Sequence, residues 1–315
     1  MRPPDFFIVG QPKSGTTALY EMLRSHPQLY MPELKEPMFL ASDLLAGLRW
    51  PTVRARPRTL EDYLSLFAPA APRQRAGEAS ALYLCSHDAA ANIARLAPDA
   101  RIIAILREPV GLLRSLHLQL VQDHSETERD LRKALSLEGE RRQGRHVPRD
   151  CARPAALYYS EHTCYVDQLR RYRDAFSSDQ VLVLIYDDFR ADNPGTVRAV
   201  LEFLEVDETF PVQASDANPT VRLRSRQLDE MVKSVSAGRG PVMRAVKAPV
   251  KTLMPARVRR GALGLARRRL LYGEPRPPDA ALTLQLRRRF KDEVVALSEY
   301  LGRDLVNLWG YDGID

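Results

Sequence analysis

The sequence predicts an α/β fold, in which a parallel sheet carries helices on both faces. Two continuous apolar runs, at 101–106 and 181–186, are typical of strands that are buried on both sides. A third short run, at 6–9, leads through a glycine-containing loop into apolar residues with helical spacing. Strands and helices alternate in this way up to residue 205, which is the pattern of parallel strands joined by helical crossovers.

Boundaries of the individual elements follow from the apolar spacing and from the turn residues between segments. Residues 41–75, rich in Arg and Pro, are predicted to be a surface excursion with one short helix. Residues 126–154 are strongly charged, and we expect a helix that gives way to a loop around Gly139. The expected strands are 6–9, 81–84, 101–106 and 181–186, and the expected helices are 16–23, 60–67, 87–96, a helix from Pro109 onwards, 157–176, 194–204, 223–235 and 279–300.

We expect the 315 residues to form a single domain, with an α/β core at 1–205 and a basic helical C-terminal extension at 206–315. Within the extension, residues 231–273 hold eleven Lys and Arg residues and no acidic residue, which leaves the remainder of the chain net negative. This segment is predicted to be a flap over the site, or a dock for an acidic or lipidic acceptor or an anionic surface. Its prolines and its lack of interleaved aromatics argue against nucleic-acid binding.

Composition and the N-terminal residues bear on location and on metals. The longest apolar runs are far shorter than the roughly twenty residues that span a bilayer, and the N-terminus lacks a signal peptide, so we expect a cytoplasmic protein. Cys85, Cys151 and Cys164 form no C-x-x-C pair and are expected to be reduced thiols. The histidines show no metal-binding spacing, and no metal is predicted.

The loop between Gly10 and Thr17 indicates a phosphate site. A loop that opens onto a helix N-terminus presents unpaired backbone N–H groups and the positive end of the helix dipole. Gly10 and Gly15 have the spacing of the nucleotide-binding loop G-x-x-x-x-G-K-[ST], but Thr16 occupies the lysine position and the lysine is at Lys13. Because the usual anchor of the β- and γ-phosphates is displaced, ordinary ATP or GTP hydrolysis is disfavoured.

Five strings occur in an order that resembles a known family. They are QPKSGTTAL, KEPMFL, GEASALYL, ILREPVGLLRSLHLQL and VLVLIYDDF. Together they resemble the sulfotransferases that use 3′-phosphoadenosine 5′-phosphosulfate (PAPS), above all the carbohydrate branch typified by heparan sulfate sulfotransferases and its bacterial relatives. The resemblance covers about 5–205 and, more loosely, LGRDLVNLW near the end. It implies a P-loop-type fold and transfer of a sulfuryl group to a hydroxyl of a sugar, lipid or secondary metabolite.

The resemblance also implies roles for individual residues. Lys13 would reach the oxygen that bridges phosphorus and sulfur, where a fixed cation stabilises the charge that develops as the S–O bond breaks. Tyr186 would lie beside the adenine, or is simply a half-buried aromatic at a strand end. The phosphate ligands would be Ser14, Gly15, Thr16 and Thr17 for the 5′-phosphate, and Arg107 and Ser115 for the 3′-phosphate.

Glu36 is the candidate general base, since it matches the glutamate of the family's K-E-x-x-F string. Pro32 and Pro37 exclude a helix interior and favour an extended segment, which brings Glu36 near the mouth of the loop if it doubles back. A carboxylate with an ordinary pKa is a poor base for an alcohol, so it would work best when partly buried or late in the transition state. His117 and His124 are competing bases, and an exposed Glu36 paired with Lys35 is the structural alternative.

Some features depart from the family pattern or admit another function. No K-G-x-x-G or K-G-R string precedes the last helix; Arg267, Arg268 and Arg269 or the Tyr272-Gly273 turn could replace it. Ala79 stands where the family has a polar residue, so acceptor binding is the least determined part. The alternatives are a P-loop kinase or NTPase with an atypical loop, and a basic nucleotide-binding or membrane-docking module. Asp187 and Asp188 could imitate the metal-holding carboxylates of an NTPase, but we interpret them as a structural cap.

Overall fold

The computed structural model describes residues 2–49, 56–211 and 279–314, together with the backbone of 222–223 and 272–273. Its centre is a five-stranded sheet in which every pair of neighbouring strands is parallel, as the sequence predicts. The order across the sheet is β2-β3-β1-β4-β5. The strands are β1 (Phe6–Gly10), β2 (Leu29–Tyr30), β3 (Arg75–Ala79), β4 (Arg101–Leu106) and β5 (Val181–Ile185).

Helices cover both faces of this sheet because side chains alternate along each strand. Phe7 and Val9 of β1 belong to one apolar cluster, whereas Phe6 and Ile8 belong to the other. The first face packs mainly against α4 (Ala89–Leu96), α5 (Pro109–Gln122), α8 (Tyr165–Ala175) and α11 (Ala280–Leu301), and the second against α1 (Thr16–Arg24), α9 (Tyr186–Ala191) and α10 (Asn193–Phe203). The remaining described helices are α2 (Ser42–Ala46), α3 (Leu60–Ser65), α6 (Leu131–Ser136), α7 (Glu138–Arg142) and α12 (Leu305–Leu308).

One predicted strand is misplaced. The sequence indicates a strand at 81–84, but those residues form a turn. The strand in this region is β3, which begins six residues earlier, at Arg75. The string of β3 has few β-branched residues, and it pairs with β1 through the register Phe6↔Gly77. A Cβ at Gly77 would come within 2.1 Å of the Phe6 ring, so a glycine here lets the aromatic side chain pack over the neighbouring strand.

The helix predicted at 157–176 is also wrong in its first half. α8 begins at Tyr165, and two 3-10 turns, Pro154–Leu157 and Tyr159–Thr163, precede it. Tertiary hydrogen bonds explain the difference, because the Ser160 N–H and hydroxyl both donate to the Glu138 carboxylate, at 2.6 and 3.0 Å. Gly139, where we expected a loop, lies inside the short helix α7.

The C-terminal extension is described in two parts. Arg222–Leu223 pairs antiparallel with Tyr272–Gly273, so the helix predicted from residue 223 does not begin there, and Tyr272-Gly273 is part of a strand pair. The rest of the predicted helix at 223–235 and nearly all of 231–273 lie outside the described residues. The last predicted helix is confirmed as α11, whose Phe290 and Val294 are buried against the first face of the sheet. No helix in the described ranges has the length and apolar character needed to cross a bilayer.

Candidate active site

Three strands, β1, β4 and β5, deliver side chains to one edge of the sheet. Loops that leave the carboxyl ends of parallel strands meet there, and open α/β sheets bind ligands at this edge. The loop after β1 opens onto α1, Arg107 follows β4, and Tyr186 follows β5. A cleft of about 1120 Å³ lies over this edge. Its walls include Lys13, Gly15, Thr16, Thr17, Glu36, Arg107, Ser115 and Tyr186, which are all of the sequence-predicted site residues except the buried Ser14.

The N-terminus of α1 is open to an anion. Gly15 caps the helix with φ 90°, and among the described residues no side chain caps it and no acidic residue occupies its first turn. Ser14 is fully buried, yet its hydroxyl has no hydrogen-bond partner in the described structure. A buried hydroxyl without a partner is unfavourable, and it lies beside backbone N–H groups that an α-helix cannot pair internally. These groups fit a phosphate, which would accept from all of them.

Arg107 supports the loop that carries Lys13. Its guanidinium donates to the Lys13 carbonyl at 2.8 Å and lies 4.7 Å from the centre of the Tyr186 ring. Its own carbonyl accepts from the Tyr165 hydroxyl at 2.7 Å. The neighbouring Glu108 caps α5 by accepting from the Gly111 N–H at 2.6 Å. Arg107 is therefore held against the cleft by the Lys13 carbonyl and the Tyr186 ring.

Lys13, in the loop after β1, and Ser115, on α5, line the same cleft. Lys13 lies in the left-handed region, with φ 66°. Burial lowers the pKa of its ammonium, and the nearby Arg107 lowers it further, whereas Asp123 and Glu36 act in the opposite direction. Ser115 is 3% exposed and lies on α5, which follows directly on Arg107 and the Glu108 cap. Two cationic side chains and a hydroxyl thus converge beyond the α1 N-terminus.

Glu36 lies at the cleft because the segment after β2 doubles back. Its N–H donates to the Ala79 carbonyl at 3.0 Å, which ties the segment to the end of β3. The carboxylate pairs with the Lys35 ammonium at 2.9 Å, and 42% of the side chain is exposed. Glu36 therefore lies at the mouth of the cleft, as the sequence predicts. It also forms the ion pair with Lys35 that was the alternative to a catalytic role.

Neither of the two competing histidines lines this cleft. His117 is buried, its Nδ1 is 3.0 Å from the Tyr159 hydroxyl, and burial lowers its pKa. His124 follows α5 in a left-handed turn. A different histidine, His162, does line the cleft, and burial lowers its pKa to about 4, so it is neutral at physiological pH. Sequence reasoning missed it because the 3-10 turn that carries it was assigned to a long helix.

A buried carboxyl beneath Glu36 was also missed. Glu78 accepts hydrogen bonds from the hydroxyls of Tyr63 and Ser80, both at 2.5 Å, and from Tyr83 at 3.1 Å. Burial raises the pKa of Glu78 to about 7, against the effect of those three hydrogen bonds, and the charge of Glu36 raises it slightly further. Glu78 is part of the string GEASALYL, but the comparison with the family pattern pointed only to the next residue, Ala79.

The Glu78 network reaches the segment that carries Glu36. The Met38 N–H donates to the Ser80 hydroxyl at 3.2 Å, and the Leu40 N–H donates to the Tyr83 hydroxyl at 3.1 Å. A carboxylate can only accept, so it fixes the hydrogens of both hydroxyls and leaves their lone pairs for the backbone. Glu78 thereby helps to hold a segment in which Glu36 and Met38 both have positive φ values, of 58° and 59°.

Asp187 and Asp188 are occupied by the C-terminal part of the chain. The Trp309 indole donates to Asp187 at 3.0 Å, and the Arg303 guanidinium donates to Asp188 at 2.5 and 2.7 Å. Both lie in α9 rather than at a turn, and neither lines the cleft, so their contacts are structural, though not those of the predicted cap. Within the described ranges, no three His, Cys, Asp or Glu side chains are grouped as metal ligands would be.

Comparison with known proteins identifies the class that this fold and cleft represent. The model of the sulfotransferase family matches residues 4–210, and the chain belongs to that family. This confirms the family resemblance. The described fold is accordingly the P-loop-like α/β fold of these enzymes.

Particular relatives refine this assignment. Mouse carbohydrate sulfotransferase 15 is 27% identical over 279 residues, which are 72% of this chain and 49% of that protein. Mouse heparan sulfate glucosamine 3-O-sulfotransferase 3A1 is 32% identical over 107 residues, or 34% of this chain and 24% of that protein. The crystal structure of a sulfotransferase from Alicyclobacillus acidocaldarius is 30% identical with a TM-score of 0.61, covering 75% of this chain and 92% of that one. The chain thus spans about half or less of the length of these curated relatives.

Proposed function

We propose that this protein transfers the sulfuryl group of PAPS to a hydroxyl acceptor. The observation that carries the proposal is the N-terminus of α1, which has no side-chain cap and leaves the Ser14 hydroxyl without a partner in the described part of the chain, beside a cleft lined by Lys13 and Arg107. These groups can bind an anion at two places, as a nucleotide with a 5′-phosphosulfate and a 3′-phosphate requires. The K-S-G-T-T order favours a sulfuryl donor, because the lysine lies inside the loop rather than after it.

In this proposal each side chain has a separate task. The α1 N-terminus, with Ser14 and the residues up to Thr17, binds the 5′-phosphate. Lys13 stabilises the bridging oxygen as its bond to sulfur breaks, and the leaving group is PAP, the desulfated nucleotide. Arg107 and Ser115 bind the 3′-phosphate, and the Tyr186 ring, already stacked under Arg107, lies beside the adenine.

Glu36 is proposed as the general base for the acceptor. The acceptor oxygen forms its bond to sulfur in line with the bond that breaks, its proton passes to the Glu36 carboxylate, and a sulfate ester results. The ion pair with Lys35 at 2.9 Å keeps the carboxylate at the cleft, although it also stabilises its charged form. A sulfuryl group is less negative than a phosphoryl group, so fixed cations can serve its transfer without a metal ion.

The acceptor is proposed to be a sugar, a lipid or a secondary metabolite with a hydroxyl group. The carbohydrate and heparan sulfate relatives make a glycan the first candidate to test. The basic segment 231–273 lies outside the described residues apart from two backbone positions, so its proposed role as a flap or as a weak contact to an anionic surface rests on its charges. The cytoplasmic location likewise remains a proposal from the sequence.

Calorimetry with PAP, the desulfated product, tests the nucleotide site. We expect low-micromolar binding by the protein, and at least about tenfold weaker binding by Lys13→Ala, because a charge-assisted contact contributes about 1.5–3 kcal/mol. Lys133→Ala, at an exposed lysine of α6, is the matched control and should bind as the parent does. No binding of PAP, or equal binding after Lys13→Ala, would refute the proposal, and Mg²⁺-dependent ATP turnover would favour a kinase or NTPase instead.

A further inference from the structure

Two neighbouring arginines, one of them in the wall of the cleft, have no ion-pair partner among the described residues. Arg153 lines the cleft, and its Nε atom is buried with no hydrogen-bond partner among the residues that the structure describes. Arg56 lies close enough for its charge to act on Arg153, and its buried Nη1 atom likewise has no partner within the described ranges. A guanidinium that is partly buried without an ion pair carries a desolvation cost, and a second guanidinium nearby adds repulsion. A ligand anion would relieve both costs.

Arg153 lies near the proposed base Glu36 and is not one of the proposed nucleotide ligands. The charges that most affect Lys13 include Arg107 and Glu36, whereas those that most affect Arg153 are Arg56 and Glu36. Because the charge of Glu36 acts on both Lys13 and Arg153, and all three residues line the cleft, the three side chains lie in one region of it. Arg153 is not among the proposed phosphate ligands, so it is available to a group of the acceptor whose hydroxyl approaches Glu36.

Arg153 is also presented by a fixed piece of backbone. Cys151 is fully buried, and the Ala152 carbonyl accepts from the Arg49 N–H at 2.9 Å. Pro154 then begins a 3-10 turn, which sets the direction of the chain directly after Arg153. A side chain on a fixed backbone loses less freedom on binding, so this is the construction expected of a recognition residue.

We infer that Arg153, with Arg56 beside it, binds a carboxylate or sulfate group of the acceptor. The substrate class is therefore a hydroxyl compound that carries its own negative charge, and this rests on the sulfuryl transfer proposed above. Leu48, Leu82 and Ala156 line the cleft as well, so the charged group is attached to a scaffold with an apolar face. A guanidinium fork suits either anion, because both offer two oxygens in one plane.

Matched acceptor pairs test this inference and separate the two anions. The carboxylate pair is nitrophenyl glucuronide and its methyl ester, and the sulfate pair is a nitrophenyl glucoside with its primary hydroxyl either sulfated or methylated. Initial rates of transfer from PAPS are measured for the parent, Arg153→Gln, Arg153→Lys and Arg149→Gln. Arg149 is an exposed arginine in the same segment that does not line the cleft, so its variant controls for the lost charge.

We expect kcat/KM for the acidic member of at least one pair to exceed that of its neutral partner by about tenfold to a hundredfold. Arg153→Gln should abolish this preference, mainly through KM, while Arg153→Lys retains part of it and Arg149→Gln all of it. PAP affinity should be unchanged in all three variants, which also shows that they are folded. Equal use of acidic and neutral acceptors, or a preference that survives Arg153→Gln, would overturn the inference.

If none of these probes is turned over, binding to the PAP-saturated protein decides the question by saturation-transfer NMR. Binding of the glucuronide or the sulfated glucoside that weakens about tenfold or more in Arg153→Gln supports the inference. No binding of either, or equal binding by the parent and Arg153→Gln, overturns it. Failure of the parent to bind PAP would instead refute the proposed function, so the two failures are distinguishable.

Discussion

Glu36 and Glu78 are two glutamates of one region with different environments and different expected behaviour. Glu36 is partly exposed at the cleft and paired with Lys35, whereas Glu78 is completely buried under three hydroxyl donors. The first is placed to exchange a proton with a bound molecule, and the second to hold the backbone of the segment that carries the first. Substitution should therefore affect catalysis in one case and pH-dependent stability in the other.

Replacing Glu36 with Gln should lower kcat for sulfuryl transfer by about 10²–10⁴-fold, which is the usual contribution of a general base. PAP affinity should change by less than about twofold, because the proposed nucleotide contacts are made by other residues. Glu33→Gln is the matched control, since Glu33 precedes Glu36 in the same segment and its side chain is 93% exposed. A kcat for Glu36→Gln close to that of the control would point to another base, with His162 the first to test.

Glu78 should make the stability of the protein depend on pH. Its pKa of about 7 in the folded state exceeds the ordinary value of 4.5, so the folded state binds this proton more tightly than the unfolded chain does. The free energy of unfolding should therefore fall as pH rises from about 4.5 to about 7, by an amount on the order of 3 kcal/mol. Urea unfolding between pH 5 and pH 8 measures this fall, which Glu78→Gln should lack.

The relevant quantity is the difference in unfolding free energy between the parent and Glu78→Gln at each pH. Glu202→Gln, at an exposed glutamate of α10, controls for the loss of a carboxyl and should show no such dependence. A parent-to-variant difference that stays constant from pH 5 to pH 8 would show that Glu78 does not titrate in this range.

At the scale of elements, the strand–loop–helix unit of β1 and α1 depends on a left-handed residue at its junction. Gly15 has φ 90°, and a Cβ there would lie 3.0 Å from the Phe189 ring of α9. The loop is braced from the other side, where Arg107 donates to the Lys13 carbonyl. Residues that follow β4 and β5 thus hold the loop between β1 and α1 in the conformation that faces the cleft.

Gly15→Ala should destabilise the protein by about 1–3 kcal/mol, the usual cost of a strained backbone conformation. It should also weaken PAP binding, because the N–H groups of α1 shift with the loop. Gly139→Ala is a matched control, since Gly139 lies within α7 and nothing is within 4 Å of an added Cβ. Urea midpoints and calorimetry measure the two effects, and a Gly15→Ala protein as stable as Gly139→Ala would contradict this account of the loop.

At the scale of the whole molecule, the last described helices complete a core that begins at the N-terminus. Residues of α11 and α12 belong to the same apolar cluster as β1 and β4, although the family model ends at residue 210. The Tyr311 hydroxyl donates to Glu108, the cap of α5, at 2.8 Å. The C-terminal part therefore contacts elements that support the cleft.

A chain that ends at residue 211 should not retain a stable fold. Deletion of α11 and α12 removes Leu286, Phe290, Val294, Leu297, Leu305 and Trp309, each at most 5% exposed. At about 1.5–3 kcal/mol for each buried side chain, the loss is on the order of 10 kcal/mol, comparable to the whole stability of a typical domain. Circular dichroism and binding of a hydrophobic dye measure the outcome. Cooperative unfolding like that of the full chain would contradict this prediction.

The parts that sequence reasoning predicted correctly are those with a strong local signal. Continuous apolar runs gave β4 and β5, and the glycine and lysine spacing gave the loop before α1. Boundaries failed where distant groups decide the conformation, as at Ser160, whose N–H donates to Glu138, and at β3, which pairs beside Phe6. Arg153 and His162 have no local signal at all, since they lie in irregular segments that reach the cleft through packing.

Local patterns in the sequence were enough to predict the fold class, the family and the identity of the loop residues, because apolar periodicity and motif spacing act over a few neighbouring positions. The two prolines around Glu36 predicted an extended segment, and the contact of its backbone with Ala79 shows that this segment doubles back to the loop. Only the three-dimensional contacts show that the hydrogen-bond network of Glu78 holds that segment and that Arg153 lines the cleft. Those positions depend on contacts between residues distant in the chain, and burial then sets the pKa of Glu78 and leaves the Arg153 guanidinium without a partner among the described residues.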